Sequence, residues 1–236
     1  MKTLHLILTF VLAAWSFTCQ AGYTSDVQMD IAKYQAAALW SEQKYGVPAA
    51  ITDDPAVLRA AEGIVFPGVG SAGQAMDLLS SSGLGEVLKE AAATGQPVLG
   101  ICLGCQILLE RSEEHDTKTL GILKGECRLF PQGLKQPDGT PAPVPHMGWN
   151  TLSFKREDPL FEGVSKDAQF YFVHSYYTAP DESLVIATTD YGMEFCSAYG
   201  REGLWAVQFH PEKSGRYGLM ILRNFYRYCK GAGHAV

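Results

Sequence analysis

The chain has 236 residues, of which 47% are hydrophobic and 19% are charged. This composition is typical of a folded domain with a sizeable core, and it excludes an intrinsically disordered protein. The formal net charge of -6 argues against the broad basic surface that nucleic-acid binding needs. No apolar run is long enough to predict a membrane-spanning helix, so we expect neither nucleic acid nor a membrane as a partner.

The first 26 residues allow three interpretations. Residues 1–21 have the pattern of a secretory signal, with Lys2 before an apolar stretch and the small residues Cys19 and Ala21 near the expected cleavage point. The apolar residues 4–12 are also typical of a buried first strand, and a misassigned start of translation is the third interpretation. We therefore separate residues 1–26, a signal-like or misassigned extension, from a domain of residues 27–236.

Strand and helix patterns alternate in the first half of this domain. They predict strands at residues 49–52, 63–66 and 97–101, and helices at residues 55–61, 74–93 and 102–111, the second of them interrupted near Gly83. Alternation of this kind predicts a parallel sheet with helices on both faces.

The second half changes to a succession of strands. They are predicted at residues 125–130, 150–154, 169–173, 185–189, 194–199 and 204–209, and a helix at residues 215–229 closes the chain. The Pro- and Gly-rich residues 131–145 predict an exposed loop. The expected fold is one α/β domain, with a mostly parallel central sheet, helices on both faces and antiparallel strands added in the C-terminal half.

The sharpest local pattern is GICLG at residues 100–104, directly after a predicted strand. Glycines on both sides of a nucleophile permit the tight strand-to-helix turn that exposes its side chain. Cys102 would then lie at a helix N-terminus, where the dipole favours a thiolate, and the N–H of Leu103 would point to a developing oxyanion. Taken alone, the pattern leaves open a buried core cysteine and a C-x-x-C redox pair of Cys102 and Cys105.

The cysteine content favours reduced thiols. The chain has six cysteines in all, scattered along its length, and a chain of this size needs no disulfides to be stable.

A candidate base follows the last predicted strand, in the sequence QFHPEKS at residues 208–214. Residues two apart in an extended segment face the same side, so His210 and Glu212 can reach one pocket. His210 would act as a general base toward Cys102, and Glu212 would orient its imidazole. The PGVG turn at residues 67–70 ends another predicted strand, where glycines let backbone N–H groups approach an oxyanion.

These motifs together resemble a known family. PGVG at residues 67–70, GICLG with Gln106, and HPE at residues 210–212 are similar to the motifs of class I (triad) glutamine amidotransferases. PHMGWN at residues 145–150, FYFVHSYY at residues 170–177 and HPEKSG at residues 210–215 more narrowly resemble the glutaminase subunit of imidazole glycerol phosphate synthase. The resemblance covers residues 45–229.

The resemblance implies a role for each matching residue. The nucleophile, base and orienting acid would be Cys102, His210 and Glu212, and the oxyanion would be held at Val69, Gly70 and Leu103. The substrate glutamine would be held by Gln106, His174, Ser175 and Tyr176. The interface with a cyclase subunit, a (β/α)₈ barrel that receives ammonia in a heterodimer, would include Trp149, Asn150 and Lys213. The resemblance implies no cofactor, no metal and a cytoplasmic step of histidine biosynthesis.

The N-terminal region departs from the family pattern. The family opens with a strand and an Asp-Tyr-Gly-x-Gly-Asn type of turn, and this sequence has no such turn; residues 27–31 would be a degenerate strand and residues 32–45 a helix. Three other functions stay open on the sequence. They are a secreted γ-glutamyl hydrolase, a non-catalytic binding subunit, and a thiol oxidoreductase that uses Cys102 and Cys105.

Overall fold

The computed structural model describes residues 8–10, 51–136 and 138–231. The α-helices in this part of the chain are α1 Pro55–Ala60, α2 Ala72–Ser82, α3 Leu84–Thr94, α4 Leu103–Ile107 and α5 Gly215–Cys229. The strands are β1 Leu8–Phe10, β2 Gly63–Gly68, β3 Val98–Cys102, β4 Arg111–Ser112, β5 Thr117–Lys118, β6 Gly125–Leu129, β7 His146–Thr151, β8 Ser153–Phe154, β9 Gln169–His174, β10 Tyr176–Pro180, β11 Val185–Asp190, β12 Glu194–Arg201 and β13 Leu204–Val207.

The main sheet is parallel at one end and antiparallel at the other. Its order is β1-β2-β3-β13-β12-β10-β6-β4-β5, with β11 and β8 pairing beside β12. Strands β1, β2, β3 and β13 run parallel, and β13, β12, β10 and β6 are joined by antiparallel pairs. Strands β7 and β9 form a separate antiparallel pair. The predicted fold class is therefore confirmed.

Helices cover both faces of the parallel strands because neighbouring strand residues point to opposite sides. Ile64 and Val98 belong to the core cluster that includes residues of α1, α2, α3 and α4. Val65 and Leu99 belong to the other cluster, which includes Ile221 and Phe225 of α5. Strands buried on both faces are typical of parallel sheets, and the carboxyl ends of β2 and β3 meet at one edge, where the candidate nucleophile lies.

The structure differs from the predicted elements in several places. The helix expected at residues 102–111 ends at Ile107, because the carbonyl groups of Leu108 and Leu109 accept hydrogen bonds from the loop at residues 121–123 and the chain enters β4. The strand expected at residues 49–52 is reduced, in its described part, to an isolated bridge at Ile51. The sequence does not predict strand β10, because this strand begins inside the FYFVHSYY motif that was interpreted as a binding segment.

The N-terminal strand lies within the stretch interpreted as a signal or a first strand. Residues Leu8–Phe10 pair in parallel with Gly63, Ile64 and Val65 at the edge of the main sheet. The strand and helix expected at residues 27–45 lie outside the described residues, and the division of the chain at residue 26 stays a prediction. In the described ranges, no helix is long and apolar enough to cross a bilayer.

Candidate active site

Cys102 occupies a sharp turn between β3 and α4. Its backbone has φ 53° and ψ -113°, a conformation that L-residues rarely adopt. The turn is possible because its flanks lack side chains: a Cβ on Gly104 would overlap the carbonyl oxygen of Phe66, and one on Gly100 would lie 2.8 Å from Leu108 Cδ1. Cys102 is only 7% exposed, so it is more buried than the exposed nucleophile that the sequence pattern predicts, but it does line a cleft.

His210 and Glu212 form a buried pair beside this cysteine. His210 Nδ1 lies 2.7 Å from Glu212 Oε1, and the two side chains are 1% and 5% exposed. The expectation that an extended segment brings them together is wrong in its reason, because residues Pro211–Lys213 form a 3₁₀ turn. Pro211 starts that turn, which carries the carboxylate back to the imidazole.

Burial and two neighbouring residues, Cys102 and Glu212, set the pKa of His210. Burial alone lowers its pKa, but Cys102 and then Glu212 oppose that effect and raise the pKa to about 10. The buried Nε2 makes no hydrogen bond of normal geometry within the described part of the chain, yet Cys102 is close enough to affect its protonation. At rest, His210 is therefore a protonated imidazole that faces the sulfur of Cys102. This places a proton donor next to a nucleophile.

The cleft around Cys102 has a volume of about 710 Å³. It collects most of the residues that the sequence proposed for the site. Its lining residues are Val69, Gly70, Cys102, Leu103, Gln106, Glu114, Trp149, Tyr171, Val173, His174, Ser175, Tyr176, His210 and Lys213. Glu212 lies behind His210, and Asn150 does not line the cleft.

The candidate oxyanion groups lie on two sides of Cys102. Gly70 has φ 101°, a conformation that favours glycine, and follows Val69 directly beyond β2. Leu103 is the first residue of α4, where backbone N–H groups have no partner within the helix. Both positions line the cleft, so their amides are suitable donors to an oxyanion next to the sulfur.

Gln106 connects α4 to the segment proposed to bind substrate. Its Nε2 donates to the carbonyl oxygen of Tyr176 at 3.1 Å and to Gln208 Oε1 at 3.1 Å. Its side chain is buried while Ser175 and Tyr176 are half-buried. This leaves the Ser175–Tyr176 backbone fixed against α4 at the edge of the cleft.

His174 faces the interior of the protein as well as the cleft. Its Nδ1 donates to the carbonyl oxygen of Tyr176 at 2.7 Å, and its Nε2 accepts from His146 Nδ1 at 3.2 Å. Both ring nitrogens are thus engaged by protein groups. Burial lowers the pKa of His174 to about 3 and that of His146 to about 4, so both rings are neutral. In this structure His174 supports the binding segment, and its ring nitrogens are not available to glutamine.

The residues proposed for a partner interface divide into two groups. Trp149 is 53% exposed and Lys213 lies with it in the lining of the cleft, while the neighbouring Met147 is 62% exposed. Asn150 instead donates through Nδ2 to the carbonyl oxygen of Asp190 at 2.8 Å, and its Oδ1 accepts from the N–H of Thr151. Its side chain ties β7 to the end of β11.

Comparison with known proteins places this site in a family. The model for "Glutamine amidotransferase class-I" matches residues 20–229. The imidazole glycerol phosphate synthase subunit HisH of Nitratidesulfovibrio vulgaris is 60% identical over 190 residues, covering 80% of this chain and 90% of that protein. The chain belongs to the class-I glutamine amidotransferases, in the HisH family.

Other comparisons agree with that family. The HisH subunit of Moorella thermoacetica is 44% identical over 211 residues, covering 87% of this chain and 97% of its own. The glutaminase domain of Trypanosoma brucei CTPS with bound acivicin has a TM-score of 0.60 at 16% identity, covering 88% of this chain and 92% of that one. At this low identity, the likeness to the Trypanosoma brucei domain shows the fold alone. As a HisH-family protein the chain is a glutamine amidotransferase of histidine biosynthesis, so that interpretation of the sequence is confirmed.

The burial of Cys105 argues against a thiol oxidoreductase that uses Cys102 and Cys105. Cys105 is 0% exposed. Burial, together with the nearby thiols of Cys102, Cys127 and Cys196, raises its pKa well above the ordinary range of a thiol. A buried thiol that stays protonated cannot serve as the resolving partner of an exchange reaction.

Within the described ranges, no group of three or more His, Cys, Asp or Glu side chains comes together in a way that could hold a metal ion.

Glu114 and Gln208 are among the residues of this HisH-family site that the sequence did not point to. Glu114 lines the cleft, and its Oε2 accepts from the N–H of Ala72 at 2.6 Å, which fixes the carboxylate near the start of α2. Gln208 is 1% exposed and contacts Cys102, Cys105 and Gln106. Gln208 could have been found from its spacing, since it is two residues before His210 on an extended segment. No sequence pattern marks Glu114.

Proposed function

We propose that the chain hydrolyses the side-chain amide of glutamine, with Cys102 as nucleophile, His210 as general acid and base, and Glu212 as the group that orients His210. One observation carries this proposal: a cysteine in a strained strand-to-helix turn faces a buried imidazole–carboxylate pair in an open cleft. This is the arrangement of an activated nucleophile, in which the base is itself held by a third group.

The proposed reaction has two halves. The thiolate of Cys102 attacks the amide carbon, and the oxyanion accepts hydrogen bonds from the amides at Val69, Gly70 and Leu103. His210 is protonated at rest, because its pKa is about 10, so it gives a proton to the leaving ammonia. Water then attacks the γ-glutamyl thioester with neutral His210 as base, which releases glutamate and restores the thiolate.

The ends of glutamine differ in charge, and the cleft offers groups suited to each. The fixed carboxylate of Glu114 suits the α-ammonium group. The Ser175–Tyr176 segment, held by Gln106 and supported from behind by His174, suits the remaining polar groups of the substrate. A role in holding glutamine explains why the Ser175–Tyr176 segment is tied to α4 through the buried side chain of Gln106.

The proposed partner is a cyclase subunit with a (β/α)₈ barrel, which would form a heterodimer with this chain in the cytoplasm. Ammonia leaving Cys102 would pass to the barrel, where imidazole glycerol phosphate is made. The docking surface would include Trp149 and Lys213 at the cleft, with Asn150 holding the strand that presents Trp149. An exposed tryptophan on a rigid strand is a group that protein interfaces commonly bury.

The test is co-purification of the full chain with a cyclase barrel, followed by assays with glutamine and with ammonia as the nitrogen donor. Cys102→Ala should abolish product formation from glutamine and preserve formation from ammonia. Cys105→Ser is the matched control, because it changes a neighbouring thiol and keeps a hydrogen-bond donor, and it should retain both activities. Glutamine-dependent activity that survives Cys102→Ala would refute the assignment.

A further inference from the structure

Gln208 is a buried polar residue for which the proposed mechanism has no role. It follows β13, its backbone N–H donates to the carbonyl oxygen of Ser197 at 2.9 Å, and its side chain is 1% exposed. Phe209, the next residue, is 0% exposed in the core, and His210 comes after it. Gln208 and His210 therefore lie on the same side of the segment, the side of Cys102. An apolar side chain would fill this space without the desolvation cost of an amide.

The hydrogen bonds around Gln208 fix which end of its amide faces which neighbour. The carbonyl oxygen of Tyr176 can only accept, so the nitrogen of Gln106 faces it at 3.1 Å. That same nitrogen donates to Gln208 Oε1 at 3.1 Å, and the thiol of Cys105 donates to this oxygen at 3.7 Å. A flipped amide would set the nitrogen of Gln208 against the nitrogen of Gln106, donor against donor.

The remaining end of the amide faces the nucleophile. Gln208 Nε2 lies 3.9 Å from Cys102 Sγ, within the range of a hydrogen bond to sulfur. We infer that Gln208 donates a hydrogen bond to the Cys102 thiolate, increasing the thiolate population and holding the sulfur in the cleft. This inference rests on the proposed function, since it assigns a further residue to the same site.

A neutral amide suits this role for a chemical reason. It donates to sulfur without accepting a proton, so it does not compete with His210 for the proton that leaves the thiol. Its other end is held by Gln106, which also holds the backbone of Tyr176 at the substrate segment. One chain of hydrogen bonds therefore runs from the glutamine-binding segment to the sulfur.

The experiment measures alkylation of Cys102 by iodoacetamide against pH in the full chain, with peptide mass spectrometry to locate the label. Gln208→Glu keeps the shape and replaces the N–H₂ group by an oxygen, while Gln208→Met keeps the length without a donor or a charge. Thr189→Val is the matched control, because Thr189 is buried and the change removes one hydrogen bond, from Thr189 Oγ1 to the carbonyl oxygen of Thr151, neither of which lines the cleft.

Both Gln208 variants should be labelled more slowly at neutral pH, by roughly 10-fold or more, as expected for the loss of a hydrogen bond to a charged group. Their labelling curves should move to higher pH, and the Thr189→Val curve should match the wild type. Thermal unfolding checks that each variant is folded, and the uncharged Gln208→Met variant decides between a lost donor and charge repulsion.

Two results would overturn the inference. Curves of both variants that coincide with the wild type would show that the amide does not act on the sulfur. A shift in the Gln208→Glu variant alone would show charge repulsion in place of a lost donor. A wild-type chain whose Cys102 is not labelled at all would instead contradict the proposed function, so the two failures are distinguishable.

Discussion

The buried pair of His146 and His174 should make the protein sensitive to mild acid. His146 is 2% exposed, and its ring stacks on Tyr191 at 3.9 Å between centroids. Burial lowers its pKa from 6.5 to about 4 and that of His174 from 6.5 to about 3. A base with a lower pKa in the folded state binds more protons when unfolded, so stability is full above pH 6.5 and falls as the pH drops toward 4.

The size of this effect follows from the width of the pH window. Between pH 6.5 and pH 5, each neutral histidine loses about 1.4 kcal/mol of stabilisation per pH unit, or about 2 kcal/mol in all. The pair together therefore costs up to about 4 kcal/mol at pH 5. This is a large part of the stability of an ordinary domain, which is about 5–15 kcal/mol.

The assay is urea unfolding at pH 7.5 and pH 5.0 of the wild type and of His146→Asn. The amide nitrogen of asparagine can replace Nδ1 as the donor to His174 Nε2, and asparagine does not titrate. The variant should lose about 2 kcal/mol less than the wild type on acidification. His115→Asn, at an exposed turn position, is the matched control and should behave as the wild type. Equal losses in the wild type and in His146→Asn would refute the reasoning.

Two further changes test the triad and the turn that carries it. Glu212→Gln keeps the acceptor for His210 Nδ1 and removes its charge, so kcat for glutamine hydrolysis should fall roughly 10- to 100-fold with little change in KM; an unchanged kcat would contradict the orienting role. Gly104→Ala sets a methyl group against the Phe66 carbonyl oxygen and should cost about 3 kcal/mol in thermal unfolding. Gly73→Ala is its control and should be near neutral, because the nearest atom, on Thr117, is 3.6 Å away; similar losses at both glycines would contradict the packing argument.

The strand-to-helix turn at Cys102 and the position of His210 could be predicted from the sequence because their local patterns determine their geometry. Glycines around Cys102 fix the turn, and the strand before His210 fixes its direction. The closing helix was predicted with the bounds that the structure gives, since its apolar residues follow one helical period over 15 residues. Long periodic segments and tight turns are determined by local physics.

Other features depend on contacts between distant segments, and the sequence could not specify them. The helix after Cys102 ends early because the carbonyl group of Leu108 accepts hydrogen bonds from a loop more than ten residues away in the sequence. His174 Nε2 is engaged because strand pairing sets His174 opposite His146, which no local pattern indicates. The carboxylate of Glu114 reaches the cleft only because it is held by the start of α2.

The most direct test of the account is chemical capture of the intermediate on the full chain. Protein quenched with acid during glutamine turnover, with the cyclase partner present, should carry a γ-glutamyl thioester on the peptide that contains Cys102. The label should be absent from Cys102→Ala and should disappear when the quenched sample is treated with hydroxylamine. A γ-glutamyl label on another cysteine, or steady glutamine hydrolysis with Cys102 never labelled, would contradict the account.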